Sequence, residues 1–425
     1  MNTASRKKQS LPLNKAKKKS KLGVKSSKSD GISSKSESFT KRKIRIINEA
    51  LDSDPVDIEL LRKLMISNEG CVTNDLRCKV WPKLLNVNIF EYPKKRKADI
   101  ELKEFQANKW WHQVNLDINR CHRRFPQGTR VSRRRVLQHQ LTSVIMRVLC
   151  RKPELNYYQG YHDIAVTLLR VVGEDLATAL LDQLSDTHIR DFMDVNMNRT
   201  NKMLGFFHPI MNKVERKLEF FLDQSDVGSI FCLSWLITWF GHDINGFDVI
   251  VRLFDLFLAS HPIMPVYVAV AIVHRHMDQV LKCECDMAMV HHFLSKLPLY
   301  IGIDDVEEIV SDACQIFETH PPDSLEKAVQ QYIKGSTSIA QHRELIYQSY
   351  AQRPDNILRK RKRRARLSSD PGFTVTVKTP NGTVAKVGDM NNESVNPIVK
   401  VAVWTMTVSM GVMTFFVLNT SKYWL

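Results

Sequence analysis

Apolar residues recur at helical spacing through most of the chain. Ile47, Ala50 and Leu51 lie three and four residues apart, and a second run of this kind follows shortly after them. Such spacing places the apolar side chains on one face of a helix. The periodicity begins at about Ile44, and we expect the folded domain to begin there.

A longer helix is indicated between Val136 and Leu149, where apolar residues again share one face. It should end at Arg151-Lys152-Pro153, because the residue before a proline avoids helical geometry. Further helical segments are indicated at residues 203–222, 249–258, 266–273 and 306–317. Strand-like alternation is scarce before residue 373. The pattern therefore predicts an all-α domain over residues 44–345.

Two segments are almost wholly apolar. Phe231–Phe240 has ten residues and is too short to cross a bilayer, so we expect it to be buried. Val401–Leu418 contains eighteen residues without a charge. As a helix it would span about 27 Å, close to the thickness of an endoplasmic reticulum bilayer. The alternative, a buried C-terminal core helix, should show a polar face, and this segment has only Thr and Ser as polar residues.

We therefore predict a single transmembrane tail anchor over residues 399–419, with residues 420–425 as a short luminal tail. Lys400 can extend to the interface at one end, and Tyr423 and Trp424 can lie at the other. Positive charge lies almost wholly before the segment, so the body should face the cytoplasm.

The distribution of charge narrows the class of partner. The chain carries +17 in total, but residues 1–43 hold +12 and residues 351–400 hold +7, which leaves residues 44–350 slightly negative. A nucleic-acid groove on the folded body is therefore disfavoured. Basic tails beside a membrane segment favour an anionic cytoplasmic leaflet instead.

Both tails have a composition unlike that of the body. Residues 1–43 are rich in Lys and Ser and should be disordered. Residues 346–398 should form a basic, flexible linker that contains the dense run Arg359–Arg366. Asn381-Gly382 indicates a short hairpin within this linker.

The eight cysteines are scattered along the chain, which suggests a reduced cytosolic body. Cys283 and Cys285, near His291 and His292, could be drawn as a zinc site, but their spacing does not fit the common structural patterns. Buried thiols in a helical segment and surface imidazoles are the favoured alternative. We expect no bound metal.

Candidate chemistry is concentrated between Val114 and Asp163. The first motif has the pattern Val-x-x-Asp-x-x-Arg and ends at Arg120; the second is Tyr-x-Gln-Gly and contains Gln159. Each offers one polar side chain that could enter the active site of another protein. Taken singly, Asp117–Arg120 could be an ordinary surface helix pair, and Gln159 could cap a helix.

The two motifs resemble the fingerprints of the TBC-domain Rab GTPase-activating proteins. Leu76–Trp81 is similar to the entry motif of that family, and Ser234–Phe240 is similar to its third, structural motif. Three motifs in the family's order make the resemblance specific. It extends from about Leu76 to about Gln315 and implies the all-α TBC fold.

The resemblance also implies a role for each motif residue. Arg120 would be an arginine finger, which stabilises transition-state charge on the transferring phosphoryl group. Gln159 would be a glutamine finger that orients the attacking water. From its spacing, one helical turn before Arg120, Asp117 would either orient the guanidinium or hold the local backbone, and Tyr157 and Gly160 complete the second motif. Gly160 would let the backbone turn so that Gln159 projects.

One departure from the family pattern introduces competing arginines. Many members run from the arginine directly into a Thr-Phe-Pro-like stretch, whereas here Cys121, His122, Arg123 and Arg124 precede Phe125. The Asp-x-x-Arg spacing selects Arg120 as the finger. We expect Arg123 and Arg124 to make structural or partner contacts.

Together with the predicted anchor, the resemblance implies a membrane-anchored activator of a Rab GTPase of the early secretory pathway, acting on the GTP-bound form at the endoplasmic reticulum. It would contribute catalytic residues in trans and turn over no substrate of its own, while GTP and magnesium would belong to the partner. The alternatives are a non-catalytic Rab-binding scaffold and a membrane tether or nucleic-acid binder that uses the basic tails.

Overall fold

The structure is a computed structural model that describes residues 30–92, 98–126, 128–325, 327–368, 375–378 and 384–387. Two compact units are separated between Arg359 and Lys360. The first contains every predicted site residue. Within it the described chain is helical throughout, which confirms the predicted all-α domain.

The α-helices follow one another with short connections. Those of the first half are α1 (Asp30–Asp52), α2 (Ile58–Ile66), α3 (Asn74–Leu84), α4 (Ala98–Ala107), α5 (Trp111–Arg120), α6 (Val131–Arg151), α7 (Tyr161–Val172), α8 (Glu174–Asp186), α9 (Asn198–Leu204), α10 (Phe207–Val214) and α11 (Arg216–Gln224). Those of the second half are α12 (Leu233–Ile237), α13 (Phe247–Ala259), α14 (Met264–Arg275), α15 (Met277–Val280), α16 (Met287–Leu294), α17 (Ile303–Thr319), α18 (Lys327–Gly335), α19 (Thr337–Ser349) and α20 (Asp355–Ser368).

Short 3₁₀ turns occupy several of the connections. They are Cys121–Arg124, Arg190–Met193, Ile230–Cys232, Leu297–Tyr300 and Pro322–Ser324. The predicted amphipathic run over residues 203–222 is divided among α9, α10 and α11. We attribute the division to Gly205 and to the extended backbone of Glu215, which ends α10 and begins α11.

The centre of the fold is formed by α13 and α14. Every residue from Val249 to Ala259 and from Met264 to Val273 is buried. Both helices are mainly apolar around their whole circumference, which is typical of helices inside a core. Here α14 packs on α17, α13 packs on α2, and α6, α7 and α8 pack on one another nearby.

A buried ion pair fastens the entry motif to this centre. Asp255 on α13 is fully buried and accepts hydrogen bonds from the Arg77 guanidinium, at 2.7 Å from Nη2, and from Trp81 Nε1 at 2.8 Å. It also accepts one from the backbone N–H of Cys71 at 3.0 Å. A buried carboxylate is tolerated when its oxygens are satisfied in this way. The motif around Leu76–Trp81 is therefore structural.

The apolar segment Phe231–Phe240 is buried, as predicted. Trp235, Trp239 and Phe240 are each at most 1% exposed, and the Trp239 ring packs edge-on against Phe254 of α13. The segment breaks into a turn and α12, and Trp239 and Phe240 have positive φ angles of 49° and 61°. It forms a rigid support beneath the loop that carries the second motif.

The predicted N-terminal boundary at residue 44 is wrong, because α1 begins at Asp30. Lys43 is 3% exposed, and its Nζ contacts the Ser67 Oγ at 3.0 Å and the carbonyl of Asn68. These partners lie in the turn after α2. Thr40 Oγ1 also donates to Glu69 at 3.0 Å. The composition of residues 30–43 gave no sign of these long-range partners.

The predicted C-terminal boundary at residue 345 falls inside α19. After this helix the chain returns to the first helices: the Gln352 carbonyl accepts from the N–H of Val56 at 2.9 Å. Lys83 Nζ donates to the carbonyl of Arg353 at 3.0 Å and lies 2.7 Å from the carboxylate of Asp355. The first unit consequently runs to Arg359.

The predicted linker contains regular structure. Helix α20 covers the dense basic run, which the expectation of a flexible linker missed. Strands β1 (Val375–Lys378) and β2 (Val384–Val387) pair antiparallel, with Val375 opposite Val387 and Lys378 opposite Val384. The hairpin predicted around Asn381-Gly382 is therefore confirmed by its two strands.

The predicted tail anchor over residues 399–419 lies outside the described residues, as do residues 1–29. Within the ranges that the structure describes, each helix is either too short or too polar to cross a bilayer.

The zinc alternative finds no support in the described chain. Cys283 and Cys285 lie in the turn between α15 and α16 rather than in a helix, and Cys285 is exposed rather than buried. The carbonyl of Phe221 lies 3.9 Å from the Cys285 thiol. His291 and His292 belong to α16. The four residues do not come together as a group of metal ligands among the described residues.

Candidate functional site

Arg120 is the last residue of α5, and its side chain is 65% exposed. Its Nη2 donates to Asp117 Oδ1, one helical turn earlier, and the Asp117 side chain is fully buried. A guanidinium at the C-terminus of a helix is also favoured by the helix dipole. The arginine is therefore exposed while its guanidinium is held by a buried carboxylate one turn earlier, as the Asp-x-x-Arg spacing predicted.

The same carboxylate joins the first motif to the second. Asp117 Oδ2 accepts from the hydroxyl of Tyr157 at 2.8 Å, and Oδ1 also accepts from Gln113 Nε2 at 3.1 Å. Tyr157 is 6% exposed and lies beneath the surface. Burial and the adjacent Asp117 raise the pKa of Tyr157 far above its usual range, so the phenol stays protonated. Its proton is available only for the bond to Asp117.

Gln159 is exposed in the loop that enters α7. The next residue, Gly160, has φ of +115°, which favours glycine. A Cβ at this position would lie 2.9 Å from the Thr238 methyl group. The hydroxyl of Tyr158 donates to the Ile237 carbonyl at 2.9 Å and ties the loop to the buried third motif. The backbone around Gln159 is thereby fixed on both sides.

Both predicted finger residues line one cleft. Its volume is about 870 Å³, and its walls come from α5, the turn after it, the Gln159 loop and the third motif. Arg120, Gln159, Asp117 and Gly160 all contribute to its lining. An exposed arginine and an exposed glutamine at one cleft can be presented together to a partner that docks there.

Arg124 does not serve as a free partner-binding side chain. Its Nε lies 3.1 Å from Asp163 Oδ1, and its other nitrogens donate to the backbone carbonyls of Ile244 and His242. Its own carbonyl accepts from Arg170 Nη1 at 2.8 Å. Of the two predicted roles, structural or partner contact, the contacts of Arg124 within the described chain are structural. The side chain of Arg123 lies outside the described residues.

Two residues directly after the second motif were given no role in the sequence analysis. His162 Nδ1 lies 3.2 Å from the Tyr157 hydroxyl, and Asp163 Oδ2 lies 3.5 Å from His162 Nε2 and from His242 Nδ1. Because Tyr157 donates its proton to Asp117, its oxygen accepts from His162 Nδ1. Their position next to the Tyr-x-Gln-Gly motif was the only available signal.

Charge in this network is set by burial and by pairing. Burial lowers the pKa of His162, so the imidazole is neutral near pH 7. Burial also disfavours a charged Asp163, yet contact with His242 and the charge of Arg124 hold the pKa of its carboxyl below the usual value. Contact with the same carboxylate raises the pKa of His242. The result is an ionised Asp163 held by the Arg124 guanidinium and by His242, whose protonated form it stabilises.

Cys121, His162 and Asp163 place potential metal ligands within 4.8 Å of one another. The Arg124 guanidinium already occupies Asp163 Oδ1 and would repel a cation. Burial raises the pKa of the Cys121 thiol to about 12, which keeps it protonated and a poor ligand. We therefore interpret the group as a hydrogen-bonded support for the cleft.

Three comparisons with known proteins bear on this site. The Rab-GTPase-TBC domain model matches residues 74–281. TBC1 domain family member 20 is 42% identical over 386 residues in Mus musculus, covering 90% of each chain. The Homo sapiens protein is 41% identical over 399 residues, covering 93% of this chain and 94% of the relative. The GTPase-activating protein gyp10 of Schizosaccharomyces pombe is 29% identical over 272 residues, 63% of this chain and 71% of the relative.

Two solved structures share the fold. The Ypt/Rab-GAP domain of Gyp1p has a TM-score of 0.53 at 17% identity, covering 66% of this chain and 99% of that one. The TBC domain of a Chlamydomonas flagellar RabGAP has a TM-score of 0.51 at 15% identity, covering 69% and 97%. Motif order, fold and similarity over most of the chain agree, and the protein belongs to the TBC-domain family of Rab GTPase-activating proteins.

Proposed function

We propose that this chain accelerates GTP hydrolysis by a Rab-family GTPase through Arg120 and Gln159. The observation that carries the proposal is the exposure of both side chains at one cleft, above a shared buried anchor. GTP and its magnesium are bound by the GTPase in its active form. This chain supplies the two groups and binds neither.

Hydrolysis of GTP requires little covalent help, so the activator mainly has to position two side chains. Arg120 stabilises charge on the transferring phosphoryl group, for which a permanently charged planar fork is well suited. Gln159 has an amide that both donates and accepts, so it can hold the attacking water in line. Asp117 and Tyr157 keep the guanidinium from occupying other rotamers, which lowers the entropic cost of presenting it.

A panel of GTP-loaded Rab GTPases tests the proposal. Single-turnover phosphate release is measured with the full chain in detergent, as wild type, as Gln159→Ala and as Gln224→Ala. Gln224 is an exposed glutamine that does not line the cleft. We expect one or a few GTPases to respond, and Gln159→Ala to reduce the rate by about 10²–10³, the range for removal of one positioned transition-state group.

Two results would contradict this function. Equal losses of rate in the Gln159 and Gln224 variants would show that Gln159 has no specific role in the mechanism. Binding of a GTPase without any acceleration by the wild-type chain would indicate a non-catalytic scaffold.

We further propose that residues 399–419 anchor the chain in the endoplasmic reticulum membrane, with the catalytic body in the cytoplasm, and that the substrate is a Rab of the early secretory pathway. The run of eighteen uncharged residues Val401–Leu418 supports this. The full chain should stay with membranes through alkaline extraction, and a chain ending at residue 398 should be released. Release of both would rule out an anchor.

A further inference from the structure

The first turns of α6 carry an unusual concentration of positive charge. Arg130 precedes the helix, and Arg133, Arg134 and Arg135 lie in its first turns, with no acidic residue anywhere from Val131 to Arg151. The N-terminus of a helix is its positive end and is stabilised by anionic side chains. The positive charges therefore destabilise the N-terminal end of α6 when no partner is bound.

Three of these arginines are exposed and unpaired among the residues that the structure describes. Arg130, Arg133 and Arg135 are exposed, and in the part of the chain that the structure describes their guanidinium groups have no hydrogen-bond or ion-pair partner. By contrast, Arg147 on the same helix lies 3.0 Å from Glu101. A cluster left unpaired at a positive helix end is suited to an external anion.

The cluster is continuous with the cleft. Arg134 lines the cleft together with Arg120, and its Nε is buried without a hydrogen-bond partner. Arg133 and Arg135 flank it at about 100° on either side of the helix. Val131 is 62% exposed on the same turn, and Val136 is 47% exposed on the next. Arginine with exposed apolar side chains is typical of protein–protein interfaces.

We propose that this α6 arginine surface, formed by Arg130, Arg133, Arg134 and Arg135, docks acidic side chains of the GTPase that border its nucleotide-binding face. The inference rests on the proposed function. A partner whose nucleotide reaches Arg120 must place its adjacent surface over α6. Charge of opposite sign there speeds encounter and fixes orientation, and it offsets the unfavourable interaction with the helix dipole.

Charge reversal separates docking from catalysis. In single-turnover assays with the full chain, Arg133→Glu/Arg135→Glu should raise the half-maximal activator concentration about tenfold or more. The maximal rate should stay within about twofold, because neither residue lines the cleft. The affinity of the wild-type chain should fall as salt rises, and that of the variant should fall less.

The matched control is Arg216→Glu/Lys217→Glu, another exposed basic pair in the first turn of a helix, α11. We expect no change in half-maximal concentration for this pair. Both reversals place acids at a helix N-terminus, so both variants should melt at the wild-type temperature or above it. A lower melting temperature in the α6 variant alone would contradict our account of the helix end.

Other outcomes would overturn the proposal. An unchanged half-maximal concentration in the α6 variant would show that the surface does not contact the GTPase. Loss of binding to phosphatidylserine vesicles with GTPase affinity retained would assign the surface to lipid. A failure of the proposed function can be told apart from a failure of the docking surface. In that case Gln159→Ala would hydrolyse GTP at the wild-type rate, while the α6 variant would still bind the GTPase more weakly.

Discussion

Replacing Arg120 by alanine should reduce the acceleration of GTP hydrolysis by about 10³–10⁵, the range for loss of an arginine finger. The effect should appear in the maximal rate rather than in affinity for the GTP-bound partner, because the lost interaction forms in the transition state. The loss of stability should be small, since the side chain is 65% exposed and the buried Asp117 carboxylate keeps its hydrogen bonds from Tyr157 and Gln113. Single-turnover hydrolysis and thermal melting measure both quantities.

Two further variants sharpen this test. Arg120→Lys keeps the charge but not the planar fork, and we expect it to recover little of the lost rate. Arg123→Ala addresses the competing arginine in the turn after α5. Activity that is lost in Arg123→Ala and kept in Arg120→Ala would show that Arg123, and not Arg120, is the arginine finger.

Asp255→Asn should give the largest loss of stability, about 3–5 kcal/mol, because breaking a buried pair leaves an uncompensated charge. Arg77 would face a neutral amide in a site where the carboxylate is fully buried. The amide NH₂ group would also replace one carboxylate oxygen, and it would there face either the Trp81 Nε1–H donor at Oδ1 or the Cys71 N–H donor at Oδ2. Denaturant unfolding followed by circular dichroism gives the free energy directly.

Asp278→Asn is the matched control, because Asp278 is exposed at the surface on α15. Its free energy of unfolding should lie within about 0.5 kcal/mol of wild type. If Asp255→Asn were equally silent, the entry motif would not be held by this ion pair. Apolar packing against α13 would then be sufficient to hold that motif.

Features governed by local sequence were predicted well. The apolar spacing between Val136 and Leu149 located α6, and Pro153 located its end. The Asp-x-x-Arg spacing placed Asp117 beneath Arg120, since residues three apart are neighbours on a helix. Gly160 was predicted to turn the backbone, and it does so with a positive φ.

Features governed by distant partners were not predicted. Arg124 pairs with Asp163 and with backbone carbonyls more than a hundred residues away, so its own sequence context could not identify these partners. Lys43 sits among carbonyls of the turn after α2, although its neighbours resemble a disordered basic tail. The pattern of a single sequence indicates which face of a helix is apolar, but it does not indicate which distant residues pack against that helix.

The contact between Lys83 and Arg353 can form only late in the synthesis of the chain. The two residues are 270 positions apart, and at about 5–20 residues per second a ribosome needs about 14–54 s to add that length. Until then the ammonium of Lys83, which is 3% exposed in the finished fold, has neither Arg353 nor Asp355 beside it. Helix α3 must therefore exist in the nascent chain without these two partners of Lys83 until almost the whole folded domain has been synthesised.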